Sequence, residues 1–163
     1  MPERGVVCNT SPLLYLHQVG LLELLPRLYR LVLIPPAVRD ELRRGAEQGV
    51  SVPDVENLSW LEIHAVKDPT LLPTIVDLGA GEAEAIALAL FHPGSLLILD
   101  DDLGRRIARL NGLTVTGTLG VLIKAKRDGL LPAVAPALEA LQRTTMWLSN
   151  DLIRLVLAEA GEA

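Results

Sequence analysis

Three carboxylates stand where the chain could bring them into one pocket. Asp100 directly follows a continuous apolar run, and Glu41 lies at the edge of the apolar face of a predicted helix. Glu82 opens another predicted helix and lies on the same face as its apolar residues. Clustered carboxylates raise one another's pKa unless a cation neutralises them, and Mg²⁺ and Mn²⁺ prefer oxygen ligands. Such an ion polarises a phosphodiester and activates a water for attack. The pattern therefore indicates a metal-dependent hydrolytic site.

Plainer interpretations apply to the same residues. Acids in the first turn of a helix stabilise its dipole, and Glu41 on position alone is more often solvated. Asn9 could be a turn former or a helix cap. Thr118 is placed as an N-cap that could also contact a phosphate. The acids that the dipole alone could explain are Glu82, Glu84, Asp101 and Asp102.

Two groups of cations follow the acidic triplet. The first lies on the helix that starts after the triplet, and the second lies on the next helix. Both helices are predicted to leave the same end of the sheet, so the cations could flank the acids and bind a phosphate backbone. A solvated face with ordinary charge pairs is an equal alternative. The cations are Arg105, Arg106, Arg109, Lys124, Lys126 and Arg127.

The composition limits the class of protein. The 163 residues are 50% apolar and only 3% aromatic, which predicts one domain with an aliphatic core and excludes disorder. The single Cys8 excludes a disulfide scaffold and a cysteine-based zinc cage, and it fits a reducing cytoplasm. No apolar run is long enough for a membrane span, and the N-terminus lacks a basic region followed by a clean apolar one, so a secretory signal is not expected. The net charge of −5 argues against nucleic-acid binding by overall charge.

The elements that must position these side chains alternate between strand and helix patterns. Strands are predicted over residues 5–8, 31–34, 60–64, 96–99 and 113–116. Helices are predicted from residue 12 after a Ser11 cap, then over 21–29, 36–44, 81–91, 102–111, 119–129, 132–143 and 149–160. Because the strands are continuously apolar, we expect an α/β/α sandwich with a short parallel sheet of four or five strands. Ligands then bind beyond the carboxyl ends of the strands.

The chain resembles the PIN-domain superfamily, and within it the short prokaryotic DUF3368 proteins related to VapC-type toxins. The resemblance lies in blocks that occur in a specific order and cover most of residues 5–131. They read VVCNTSPLLYL, IPPAVRDELRRG, GAGEAEAIALAL and LLILDDDLGRRIARLNGLTVTGTLGVLIKAKRDGLL. The resemblance implies a single PIN-like domain over residues 1–163, with a core of about 5–131 and a helical extension of about 132–163.

The resemblance also implies a set of site residues. PIN domains use three or four carboxylates to hold Mg²⁺ or Mn²⁺ for RNA hydrolysis. The first acid of the family falls on Asn9, the helix acid on Glu41, the third on Glu82 and the fourth on Asp100. Asp101 and Asp102 could substitute for this fourth acid or assist it. An amide oxygen can coordinate a hard cation, but it supplies no charge and cannot act as a general base. Asn9 therefore marks a departure that could alter or abolish nuclease activity.

The leading hypothesis is a cytoplasmic PIN-fold ribonuclease that acts as the toxin of a toxin–antitoxin pair. RNA and a cognate antitoxin would be its partners, and a metal-activated water would attack the phosphodiester. The rival hypothesis is a catalytically decayed PIN-fold protein that binds RNA or a protein. A small-molecule-binding α/β domain is disfavoured because the chain has no glycine-rich phosphate loop. The predicted contacts to the phosphate backbone are Thr118, Arg105, Arg106 and Lys124.

The last two predicted helices carry more apolar side chains than a thin sandwich needs. We therefore expect a homodimer, with the helices at residues 12–29 as possible further contributors. The apolar residues on which this expectation depends are Leu138, Leu141, Leu152, Leu155 and Val156.

Overall fold

The computed structural model describes residues 5–163, which form one five-stranded sheet flanked by helices. The neighbouring strands pair in parallel in the order β3-β2-β1-β4-β5. The strands are β1 (Val6–Cys8), β2 (Val32–Ile34), β3 (Leu61–Ile63), β4 (Leu96–Ile98) and β5 (Thr114–Thr116). The predicted α/β class and parallel sheet are confirmed, with five strands rather than four.

Eight α-helices surround the sheet in the described part of the chain. They are α1 (Thr10–Gln18), α2 (Leu24–Tyr29), α3 (Pro36–Glu47), α4 (Ala80–Phe91), α5 (Asp102–Leu110), α6 (Thr118–Arg127), α7 (Ala135–Gln142) and α8 (Asn150–Glu159). Two short 3-10 turns, Val55–Asn57 and Pro69–Leu71, lie in the connection between α3 and α4. The longest of these helices have 12 residues, and none in residues 5–163 is long and apolar enough to cross a membrane.

The central strands are buried on both faces. Val7 and Leu97 enter a core with α4 and α5, whereas Cys8 and Ile98 enter a larger core on the opposite face. Strand side chains alternate between faces, so a strand covered on both sides needs apolar residues at every position. The continuous apolar runs of the sequence follow from this three-layer packing.

Several helix boundaries differ from the predictions, with local physical reasons. α1 starts at Thr10, with Asn9 rather than Ser11 at the N-cap position. Pro12 is tolerated because N–H groups in the first turn have no helical acceptor. α3 continues through Gly45 and ends before Gly49, whose φ is +83°. There the Val50 N–H donates to the Gly45 carbonyl at 2.9 Å, the closing bond of a Schellman motif.

The C-terminal helices are part of the core of this chain. Leu138, Leu141 and Val156 are buried against the rest of the domain, so the prediction that they form a surplus apolar surface is wrong. Only Leu152 and Leu155 of the predicted set are exposed. The helix predicted from residue 132 begins at Ala135.

A carboxylate near the C-terminus holds this extension to the domain. The Glu162 carboxylate accepts hydrogen bonds from the Val134 and Ala135 N–H groups at 2.7 and 3.1 Å, and from Lys126 Nζ at 2.9 Å. These bonds and the charge of Lys126 lower the pKa of Glu162, against a smaller opposing effect of desolvation. One side chain thus links α6, the start of α7 and the end of the chain.

Candidate metal and nucleic-acid site

The site lies where the direction of strand order reverses, between β1 and β4. Cys8 pairs with Ile98, and the Asn9 N–H donates to the Ile98 carbonyl at 2.9 Å. Asn9 and Asp100 therefore follow adjacent parallel strands at the same edge of the sheet. This is the position at which α/β proteins bind ligands.

Asp100 is held by the beginning of α6. Its two carboxylate oxygens accept hydrogen bonds from the Thr118 N–H at 2.7 Å and from the Thr118 hydroxyl at 2.6 Å. Burial raises the pKa of Asp100, while the bonds from Thr118 and the charge of Arg105 lower it in part. The N-cap of α6 is Gly117, so the prediction of Thr118 as the cap is wrong. Thr118 is fully buried and serves to position Asp100.

Glu41 is fixed between α1 and α4. Its carboxylate accepts a hydrogen bond from the Thr10 hydroxyl and another from the Gly81 N–H, the latter at 3.0 Å. A methyl group on Gly81 would lie 2.6 and 2.7 Å from the two Glu41 oxygens, so any side chain at this position would displace the carboxylate. Glycine at this position lets the acid reach the first turn of α4, where helix N–H groups favour negative charge.

Asn9 contacts the third predicted acid. Its side chain is 1% exposed, and its Nδ2 donates to Glu82 Oε1 at 3.3 Å. Asn9 Oδ1 is buried and has no hydrogen-bond partner, the single such side-chain atom within residues 5–163. A buried carbonyl oxygen without a donor is costly, and a hard cation satisfies it as well as a proton donor does.

Two neighbouring acids have structural roles. Asp101 is the N-cap of α5, and its carboxylate accepts from the Gly104 N–H at 2.7 Å. Glu84 reaches from α4 to the start of α3, where it accepts from the Ala37 N–H at 3.3 Å. Asp101 thus lies at a helix start, as the dipole interpretation requires, whereas Glu84 stabilises the start of another helix rather than its own.

Arg105 is the predicted cation that lies beside the acids. A methyl group on Gly117 would lie 2.7 Å from Asp100 Oδ1 and 2.8 Å from Arg105 Nη1, so the carboxylate and the guanidinium flank one small space. Arg105 makes no direct ion pair within the described residues, and its donors remain available. Arg106 lies on the exposed outer side of α5, and Lys124 lines a groove along β5.

The oxygen atoms at this site suit a metal ion that keeps some of its water ligands better than one held entirely by protein side chains. Within residues 5–163, no three His, Cys, Asp or Glu side chains gather closely enough to hold a metal ion by themselves. Mg²⁺ keeps several waters and binds through one or two carboxylates plus substrate phosphate. The free Asn9 Oδ1, beside Glu82 and near Asp100, fits such an ion as a neutral ligand.

Sequence reasoning missed the residues that hold the acids in place. Thr10 is not among the predicted site residues, yet its hydroxyl donates a hydrogen bond to Glu41. Gly81 and Gly117 give the space in which Glu41 and Asp100 lie. Glycines beside the helix starts were visible in the sequence, but only coordinates show which side chain needs the space.

Of three comparisons with known proteins, one gives a match, to a protein family. A search of curated proteins and a search of solved structures each found no match. The sequence pattern of the family DUF3368, described as a PIN domain, matches residues 5–162. PIN domains bind RNA or DNA, are often nucleases and generally use divalent metal ions. With nearly its whole length matched and the parallel sheet in place, the chain belongs to this PIN-domain family.

Proposed function

We propose that this protein is a ribonuclease that needs Mg²⁺ or Mn²⁺. The observation that supports it most directly is the buried Asn9 Oδ1, which has no donor and lies next to Glu82 at the carboxyl edge of the sheet. A domain that only bound RNA through surface cations would not need a buried oxygen without a partner at this place. A bound hard cation removes that energetic cost.

The proposed roles follow from the contacts of each residue. Asp100 and Glu82 contribute charged oxygens, Asn9 contributes a neutral oxygen, and Thr118 holds the orientation of Asp100. Glu41, fixed by Thr10 and Gly81, is the remaining acid of the proposed set. A divalent ion there supplies an activated water and neutralises charge on the phosphate.

Arg105 is proposed to contact the phosphate of the bound RNA. Its guanidinium shares the space above Gly117 with Asp100 and has no ion-pair partner in the described chain. A guanidinium is suited to binding two phosphate oxygens at once. Arg106 and Lys124, which point elsewhere, are proposed to add nonspecific backbone contacts at most.

The finer biological proposal is a cytoplasmic toxin with RNA as substrate and an antitoxin as protein partner. It rests on membership of the DUF3368 family and on the resemblance of the NTSPL and GEAEAIALA blocks to that group, which is related to VapC-type toxins. A small open reading frame directly beside the gene, whose product neutralises the protein, would support it. Continued growth of cells that express the protein without that product would contradict it.

The activity test combines metal binding with RNA cleavage. Calorimetry with Mn²⁺ and cleavage of labelled RNA are measured for the wild type, Asp100→Asn and Asn9→Asp. We expect Asp100→Asn to lose both metal binding and cleavage. Asp102→Asn is the matched control, because it removes the same charge from an exposed neighbour in the first turn of α5. It should leave both measurements close to those of the wild type.

The same experiment distinguishes the rival function, a decayed PIN domain that binds RNA or protein. In that case the wild type does not cleave RNA, and Asn9→Asp restores metal binding and cleavage by adding the missing charge. Failure of both the wild type and Asn9→Asp to bind Mn²⁺ would overturn the nuclease proposal for this chain.

A homodimer is proposed on a smaller surface than the sequence indicated. Leu155 and Trp147 are 67% and 83% exposed, and Leu152, three residues before Leu155 on α8, is 38% exposed. Sedimentation of the wild type and of Leu155→Glu measures the association. A wild-type monomer at high concentration would contradict the dimer.

A further inference from the structure

The sheet has an open edge at β5. The Leu99 N–H donates to the Thr116 carbonyl at 2.8 Å, which directs the main chain of Thr114 and Thr116 toward β4. In a parallel ladder the residue between them faces the other way, so the N–H and C=O of Val115 point out of the sheet. No further strand covers this side within residues 5–163. Unpaired groups of this kind are a template for another extended chain.

A groove follows this edge on one face of the sheet. It has a volume of about 510 Å³ and is bounded by β5, by α6 and by the end of α2. Leu28, Leu96 and Ile123 form its apolar walls, and the three residues of β5 form one side. A groove that combines apolar walls with an open strand can bind both the side chains and the main chain of a peptide.

The charges around the edge are mainly positive, in a protein with a net charge of −5. Lys124 and Arg127 line the groove from α6, and Glu159 is the one acid among its described lining residues. Arg127 makes no ion pair in the described chain, and Lys124 pairs with Asp128 at 3.4 Å. An anionic occupant would therefore gain contacts here without breaking a buried pair.

The opposite face of the edge also carries a cation. Arg105 lies beside Gly117, directly after β5, so its side of α5 faces that strand. Arg109, four residues further along the same helix, instead lines a shallow pocket on the outer side of α5 with Asp102, Arg106 and Leu110. Like Arg127, Arg109 makes no ion pair within residues 5–163. The open strand thus has cations on both of its faces.

We propose that this edge is a docking site for an extended acidic peptide, which adds to β5 as a sixth strand. Its main chain pairs with Val115, its apolar side chains enter the groove, and its acidic side chains meet Arg127 and Lys124. RNA would use the cations but not the outward N–H and C=O of Val115, which favours a peptide. The proposal does not depend on nuclease activity.

The test uses nuclear magnetic resonance of the full chain with a synthetic peptide of alternating glutamate and valine. We expect the Val115 and Gly117 amide signals to shift, and the Val115 N–H to become protected from hydrogen exchange. A lysine–valine peptide controls for charge, and a backbone N-methylated glutamate–valine peptide controls for strand pairing. Both controls should bind at least about tenfold more weakly.

Variants of the protein give a second measurement. Lys124→Gln with Arg127→Gln should weaken the glutamate–valine peptide about tenfold, because two exposed charge contacts are lost. Val115→Pro removes the outward N–H without removing a bond to β4, and it should have a similar effect. If Val115→Pro does not fold, the N-methylated peptide tests the same hydrogen bond.

Three results would overturn the proposal. The first is no change at Val115 with saturating glutamate–valine peptide, and the second is equal affinity for the lysine–valine peptide. The third is tighter binding of oligouridine than of the acidic peptide at the same amides, which would assign the edge to RNA. RNA cleavage is measured separately, so loss of peptide binding with normal cleavage leaves the proposed activity intact.

Discussion

Thr118 donates two hydrogen bonds to Asp100, one from its main chain and one from its hydroxyl, at 2.7 and 2.6 Å. The two residues lie at the ends of neighbouring parallel strands, and their pairing fixes both carboxylate oxygens. A carboxylate that is held by two donors keeps one orientation and can meet a ligand at little entropic cost.

The first prediction concerns the hydroxyl of this pair. Thr118→Val keeps the shape and the N–H but removes one donor, so the pKa of Asp100 should rise because that bond lowers it. Affinity for Mn²⁺ should fall about 10- to 100-fold, as is typical when the partner of a metal ligand is lost. Thr118→Ser, which keeps the hydroxyl, should behave nearly as the wild type. The chemical shift of the Asp100 carboxyl carbon reports its pKa, and calorimetry measures the affinity for Mn²⁺. Equal Mn²⁺ affinity of Thr118→Val and Thr118→Ser would contradict the proposal that the Thr118 hydroxyl positions Asp100 as a metal ligand.

The second prediction concerns pH and stability without metal. Burial raises the pKa of Asp100 above its unfolded value, so protonated Asp100 favours folding at low pH and this contribution is lost as pH rises through the folded-state pKa. At pH 7 the wild type therefore bears the cost of a buried charge. Asp100→Asn should unfold at a higher temperature at pH 7, and its advantage should narrow as pH falls toward about 4. Thermal unfolding in a chelating buffer measures both unfolding temperatures. A difference between the variant and the wild type that stays constant across this pH range would contradict a destabilising charge on Asp100.

The third prediction concerns the space at Gly81. Gly81→Ala places a methyl group within 2.7 Å of both Glu41 oxygens and displaces the acid from the Gly81 N–H. Mn²⁺ affinity should fall about tenfold. The free energy of unfolding should change by about 1 kcal/mol or less, because alanine favours the helix. Gly45→Ala in α3 is the control, since its nearest neighbour, Val52 Cγ1, would lie 3.4 Å away. Equal metal affinity in both variants would show that Glu41 does not contribute to the site.

The fourth prediction concerns a strained turn before β2. Arg30 has φ +62° and ψ −63°, and the Leu31 N–H donates to the Tyr29 carbonyl at 2.8 Å, which defines a classical γ-turn. Arg30→Gly should raise the free energy of unfolding by about 1 kcal/mol relative to Arg30→Ala, because only glycine adopts this conformation without steric cost. The comparison with alanine removes the effect of the lost side chain. Urea denaturation measures the free energy of unfolding of both variants. A higher value for Arg30→Ala than for Arg30→Gly would contradict backbone strain at this turn.

The class and order of elements could be predicted because they depend on local patterns. The run Leu96 to Leu99 is continuously apolar, since β4 is covered on both faces, and such a run signals a buried parallel strand. The ends of helices were harder to predict from the sequence. Gly45 and Gly49 are both plausible stops, and the choice of Gly49 depends on the bonds that close the last turn.

The candidate site was predictable only as a set of positions. Strand ends indicated Asn9 and Asp100, because the carboxyl ends of parallel strands meet at one edge. The sequence does not show in which direction a side chain points. Lys124 was therefore predicted to flank the acids and contact phosphate, although it lines the groove along β5. The role of Asn9 itself depends on an oxygen without a partner, which only packing shows.

The pairing of β1 with β4 has a consequence for the timing of synthesis. Asn9 is synthesised well before Asp100 and the Thr118 that holds it. The contacts between them span a long stretch of chain and close only once the middle of the sheet has assembled. The candidate site can therefore form only after α6 has left the ribosome, because Thr118 at the start of that helix holds Asp100.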